Sequence, residues 1–117
     1  MDRKADERFP WRHRLVKGSE YRVLYNTGRR LDAGKFVIFG RPNELGYHRL
    51  GLTVSRKVGG AVVRNRIKRL FREIFRRFSA DIPCHYDLVV NARRGCAGVS
   101  FAVLREDFLG AARKICR

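Results

Sequence analysis

The sequence predicts one small α+β domain, an α/β sandwich with three helices on a mixed four-stranded sheet. Its 117 residues have the length of a single domain, and 44% hydrophobic residues are enough for one core. Along the chain the apolar period switches between 2 and 3.6, in the order helix, short strand, strand, strand, helix, strand, helix. Two of the strands are joined through a long helix, which implies a parallel pair and therefore a mixed sheet.

Residues 1–14 mix charges with isolated Phe9 and Trp11 and keep no period, so they read as a flexible basic arm ahead of a domain over 15–117. A first helix follows, with Ser19 as its N-cap, Tyr21, Leu24 and Tyr25 at helical spacing, and Gly28 as its stop. GRRLD gives a short strand, and KFVIF gives a stronger one rich in β-branched and aromatic residues. Pro42, Asn43 and Gly46 supply turn chemistry. In RLGLTVS, Leu50, Leu52 and Val54 alternate with Gly51, Thr53 and Ser55, as a strand with one buried face requires. After Gly59 and Gly60 the period changes, and Val63, Ile67, Leu70, Phe71, Ile74 and Phe78 form one helical stripe between Ala61 and Phe78. Pro83 closes that segment, and Tyr86, Leu88 and Val90 alternate in a last strand. Ser100 caps a final helix with Phe101, Leu104, Phe108, Ala112 and Ile115 on its inner face. Arg113, Lys114 and Arg117 sit near its end, where the helix dipole favours cations.

Charge narrows the function. Against 11 acidic residues stand 27 Lys plus Arg, a net charge of +16, which repels itself unless a polyanion neutralises it. With Ile67 at 0° and about 100° per residue, the apolar stripe of the long helix stays within about 60°. Asn65, Lys68, Arg69, Arg72 and Arg76 fall on the opposite side, and Arg64, Arg66 and Arg77 flank the boundary. Seven basic residues meet only Glu73 in this segment, whereas a solvated helix usually mixes signs. Arginine also suits forked contacts to phosphate oxygens. No apolar run approaches the roughly 20 residues of a membrane helix, and the N-terminus lacks a secretory signal, so the expected compartment is the cytoplasm. Cys84, Cys96 and Cys116 match no zinc or CxxC spacing and are read as reduced thiols.

The stretch GLTVSRKVGGAVVRNRIKRLFREIFR, with RNR at Arg64, Asn65 and Arg66, closely resembles the signature of the bacterial ribonuclease P protein subunit. The resemblance runs from about Leu15 to the end, through the aromatic first helix, the KFVIF strand, the NAR segment and the terminal helix. It implies the small protein of a ribonucleoprotein that removes the 5′ leader from precursor tRNA, with catalysis and the required Mg2+ carried by a large RNA. It also implies a left-handed strand–helix–strand crossover, against the usual right-handed rule. Carried over, Arg64, Asn65, Arg66, Lys68, Arg69, Arg72 and Arg76 face the catalytic RNA. The leader cleft corresponds to Tyr21, Tyr25 and Phe39, with Ser55, Arg56, Lys57 and Arg93 at its basic edge. Family members often have Phe at the positions of Tyr21 and Tyr25 and Lys at that of Arg93, and stacking survives both changes.

No residue of this chain is expected to be catalytic or to hold a metal. Hydrolysis by a protein-held metal needs clustered carboxylates, but Glu106 and Asp107 point about 100° apart on a helix, and Glu73, Asp81 and Asp87 are scattered. His13, His48 and His85 lack the spacing of a helical metal site. Cys84 and His85 are sequence neighbours, which rarely face each other as nucleophile and base. The expected partners are the catalytic RNA and precursor tRNA, without a membrane, DNA or a homo-oligomer; no helix-turn-helix pair is present. The alternative is a ribosomal-type structural RNA-binding protein with no role in cleavage.

Overall fold

The computed structural model describes residues 11–116. Helix α1 spans Gly18–Thr27, α2 Ala61–Phe78 and α3 Phe101–Ile115; the strands are β1 Arg29–Asp32, β2 Phe36–Pro42, β3 Arg49–Val54 and β4 Tyr86–Ala92. The sheet order is β1-β2-β4-β3, with β3 parallel to β4 and the other pairs antiparallel. The element order and the mixed sheet follow the sequence pattern.

The period of two sorts the strand side chains. Phe36, Ile38, Leu50, Val54, Leu88 and Val90 join the main core with α2 and α3, while Val89 packs with Leu15, Leu24, Tyr21 and Phe39 under α1. Helices therefore cover both faces. At Gly40 a Cβ would collide with the Ile115 side chain, so only glycine lets α3 settle onto β2 there. Ile67, Phe71 and Ile74 are buried as the stripe requires, and Phe75, outside the expected stripe, is buried beside them. It lies about 80° from Ile67, so the buried arc is wider than the stripe that the spacing predicts.

Two expectations change at the N-terminal side. Trp11–His13 form a 3₁₀ turn and Arg14 bridges in parallel to Leu50, so structure begins inside the expected arm; Phe9 and the arm's first ten residues lie outside the described residues, as does Arg117. The open edge of β3 needs backbone partners, and Leu15 N donates to Leu50 O at 3.0 Å. Helix α1 starts at Gly18, and Ser19 is not its cap. The Glu20 carboxylate accepts from Lys17 N at 3.2 Å and Val16 N at 3.3 Å, the reach-back half of a capping box. Ser100 does cap α3, its hydroxyl accepting from Val103 N at 3.2 Å.

One arginine joins α1 to the sheet. Arg49 donates to both Asp87 carboxylate oxygens at 2.9 and 2.7 Å and to Glu20 at 3.0 Å. Asp87 also accepts from Asn43 at 2.8 Å. Hydrogen bonding to Asp87 raises the already high Arg49 pKa, against the opposing effect of burial.

His48 is buried among the last residues before β3. Its Nδ1 accepts from Tyr86 N at 3.0 Å, which leaves the proton on Nε2, 3.3 Å from Ile82 O. Together with His13 and His85 it borders a cavity of about 220 Å³. Burial lowers the His48 and His13 pKa values below 6.5, with neighbouring cationic or imidazole groups adding to the effect. Because the folded state holds these rings neutral, stability is full above about pH 6.5 and falls as pH drops below it, where the unfolded chain takes up protons first. Thermal melts between pH 7.5 and pH 5 are expected to show that loss, and His48→Gln is expected to flatten it. In the same assay at neutral pH, Ile67→Ala or Phe71→Ala is expected to cost about 2–5 kcal/mol through lost burial and cavity formation.

Candidate nucleic-acid interface

The basic side of α2 and the aromatic side of α1 lie on opposite faces of the sheet, and they come closest around the edge of β3. On α2, Asn65 and Arg69 are exposed and Lys68 and Arg72 half-buried. Among the described residues no carboxylate lies within ion-pair distance of Lys68, Arg69 or Arg72. Arg64 Nε donates to Gly59 O at 3.2 Å, and Arg66 donates to Val99 O at 3.3 Å, so both RNR arginines are held by backbone carbonyls while Asn65 stands in solvent. Arg66 turns toward the loop before α3, away from Lys68 and Arg72. Arg76 departs from the expected face in another way: its guanidinium is bridged to Glu73 at 3.2 and 2.6 Å. Glu73 at i−3 is the local signal for that pair.

Arg72 marks the turn of this surface toward α1. Burial lowers its pKa, and Arg14 lowers it further, while Tyr21 opposes them. Its Nε is buried with no hydrogen-bond partner among the described residues.

Under α1 lies the aromatic cleft. Tyr21 is half-buried, its hydroxyl donating to Leu15 O at 3.3 Å, and burial raises its pKa. A Cβ at Gly51 would stand 2.6 Å from the Tyr21 hydroxyl, so glycine at that position lets the ring lie on β3. Tyr25 is 38% exposed and is the open ring of the three. It meets Phe39 edge-on at 4.9 Å, and its hydroxyl donates to Asn91 Oδ1 at 3.0 Å and lies 3.5 Å from Thr53 Oγ1. Phe39 is half-buried in the small core beneath. Sequence reasoning missed Thr53 and Asn91 as cleft residues. The available signal was the period of two, which puts both on the same sheet face as Gly51 and Val89.

At the carboxyl ends of β3 and β4, Ser55, Lys57, Arg93, Arg94 and Gly34 border a cleft of about 500 Å³. Ser55, Arg56, Lys57 and Arg93 are all exposed. Arg93 donates to Asp32 at 2.9 Å, which fixes its position and offsets part of its charge. Arg94, also missed, donates to Lys57 O at 3.0 Å and holds that loop in place.

The arrangement offers stacking rings beside guanidinium and ammonium groups, which is what unpaired nucleic acid requires. Among the described residues no three His, Cys, Asp or Glu side chains converge on a metal position, and no helix is long and apolar enough to cross a membrane.

The sequence profile of the family described as ribonuclease P matches residues 9–116. The chain is 38% identical over 113 residues to the ribonuclease P protein component of Thermotoga maritima, covering 93% of this chain and 97% of that protein. It is 37% identical over 98 residues to the corresponding component of Brevibacillus brevis, covering 83% and 78%. Among solved structures, the Thermotoga maritima RNase P protein superposes with a TM-score of 0.80 at 37% identity, covering 87% of this chain and 96% of that one. The Staphylococcus aureus RNase P protein gives 0.78 at 29%, covering 90% and 98%.

The different surroundings of Arg69 and Arg76 predict different effects. Arg69→Glu with Arg72→Glu is expected to weaken RNA binding about tenfold or more in a filter-binding assay, with an unchanged melt. Arg76→Gln, which removes a charge already paired with Glu73, is expected to weaken it much less.

Proposed function

The chain belongs to the ribonuclease P protein family and is a protein subunit of that endoribonuclease in tRNA processing, and from this premise we propose how its two surfaces divide the work. The α2 face, with Arg64, Asn65, Arg66, Lys68, Arg69 and Arg72, docks on the large catalytic RNA. The cleft of Tyr21, Tyr25 and Phe39, rimmed by Ser55, Arg56, Lys57 and Arg93, takes the single-stranded 5′ leader of precursor tRNA. The observation that carries this is the exposed Tyr25 ring, held by Asn91 and Phe39 on the strands that run on into the cationic rim.

Roles inside the cleft differ. Tyr25 is the stacking platform. Tyr21 and Phe39, half-buried around Leu15, Leu24 and Val89, support it and shape the floor. Thr53 and Asn91 set the tilt of the Tyr25 ring through its hydroxyl. A leader nucleotide stacked on Tyr25 brings neighbouring phosphates toward Lys57, Arg93 and Arg56. Mature tRNA has no such segment, so the cleft favours substrate over product. On the other side of the β3 edge, the α2 cations screen repulsion between the two RNAs.

Chemistry belongs to the RNA. Mg2+ bound to that RNA would supply the Lewis-acid chemistry, and no residue of this chain is assigned to hold it. This reading is supported by the engagement of Glu20, Asp32, Glu73, Asp87 and Asp107 in ion pairs with the chain's own cations. We also place the work in the cytoplasm, with RNA rather than DNA as partner and one copy of the chain as the binding unit.

Tyr25→Ala is expected to weaken precursor tRNA binding to the assembled ribonucleoprotein about fivefold to 150-fold, from about 1–3 kcal/mol per stacked base, and to leave mature tRNA nearly unaffected. Equal losses for both would assign Tyr25 to the fold. Protein free of RNA is expected to leave precursor tRNA intact at every Mg2+ concentration. Site-specific 5′ cleavage by the protein alone, abolished by Glu106→Ala or Asp107→Ala, would make it a nuclease.

A further inference from the structure

On the face of the sheet opposite the aromatic cleft, the C-terminal end of α2 meets the first turns of α3 in a cluster of arginines and phenylalanines. The Arg77 guanidinium carbon lies 5.3 Å from the Phe78 ring centre and 5.4 Å from that of Phe101. Arg105 lies 5.5 Å from the Phe78 ring on another approach. The two rings are 6.5 Å apart, tilted by 46°, and both are half-buried. Arg66 extends toward the same loop and donates to Val99 O.

Both rings pack against the main core, so the fold accounts for them but not for the cations laid over them. The negative end of the α2 dipole favours Arg77, but Arg105 lies in the second turn of α3, where the dipole gives a cation no benefit. Among the described residues neither Arg77 nor Arg105 makes a hydrogen bond or ion pair, so their donors are available. The nearby Glu73 carboxylate is bridged by Arg76 at 2.6 Å. Glu106 is about 100° around α3 from Arg105, and Asp107 pairs with Lys35 at 3.3 Å. Arg77 also acts on Glu73, whose pKa it helps to lower, and the surface around the two rings keeps an excess of positive charge.

We propose that this α2–α3 shoulder, formed by Arg77, Arg105, Phe78 and Phe101, is a second binding surface for unpaired RNA nucleotides. Guanidinium planes and aromatic rings are the two platforms on which splayed-out bases stack, and free N–H groups beside them take the flanking phosphates. Unpaired RNA fits better than duplex, because a duplex presents phosphates and needs no ring. RNA fits better than a protein because the chain's charge of +16 favours a polyanion. The shoulder and the cleft sit on different cores, one with α2 and α3 and the other with α1, so one strand can engage the shoulder while the leader occupies the cleft.

The test uses the full-length protein and a short fluorescein-labelled oligouridylate, read by fluorescence anisotropy. All arms carry Tyr25→Ala, so the cleft contributes little. Adding Arg77→Gln and Arg105→Gln is expected to weaken binding about fivefold or more, with an unchanged thermal melt. Adding Arg113→Gln and Lys114→Gln removes the same charge from the far end of α3 and is expected to cost much less. Phe101→Leu, which keeps apolar volume and removes the ring, is expected to weaken binding while Arg77 and Arg105 remain. Unchanged affinity in the normally melting Arg77/Arg105 variant would overturn the proposal and leave the cluster to a protein contact. An equal loss in the Arg113/Lys114 control would also overturn it, reducing the effect to net charge.

Discussion

Repulsion among like charges governs this structure. With 27 cations and 11 acids, self-repulsion works against the compact state, and the few carboxylates offset it most where they join elements. Among the described residues four of the five ion-paired carboxylates occupy junctions, and the fifth, Glu73, pairs with Arg76 within α2. Glu20 and Asp87 converge on Arg49, where α1, β3 and β4 meet; Asp107 joins α3 to Lys35 ahead of β2; Asp32 joins β1 to Arg93 beyond β4. Lys68, Arg69 and Arg72 have no carboxylate partner among these pairs. The cations left unbalanced by the fold are then the ones available to a polyanion.

The β3 edge makes one surface out of two. Helix α2 buries Ile67, Phe71 and Ile74 against one sheet face and turns its basic side outward, past the edge that Arg14 and Leu15 cover. Arg72 therefore lies beside Tyr21, although the two belong to helices on opposite faces. Burial of Arg72 and its repulsion by Arg14 are unfavourable in the free protein. An anion at this place would relieve that repulsion.

Much of this was legible in the sequence, because periodicity is local. The stripe from Val63 to Phe78 determines which face of α2 is basic, and alternation along β3 and β4 determines which residues line the cleft. The RNR string between a strand and a basic helix carried the family resemblance. What was not legible is contact between distant residues. Tyr25 and Asn91 are 66 positions apart, and Arg49 reaches Glu20 and Asp87 across 29 and 38. Nothing in the pattern says that one arginine is chelated and another exposed. Arg76 is the intermediate case: its partner is three residues away, and counting charges along the helix hid a pair that spacing alone would have found.

The most direct measurement is the salt dependence of affinity for the large RNA subunit. If the unbalanced cations on α2 and at the cleft rim neutralise about six phosphates at about −0.7 each, log K falls against log salt with a slope near −4. Removing Arg69 and Arg72 together should make that slope shallower by about 1.4, two phosphate contacts at the same increment. A slope near zero, or a wild-type slope in the double variant with affinity intact, would contradict the account.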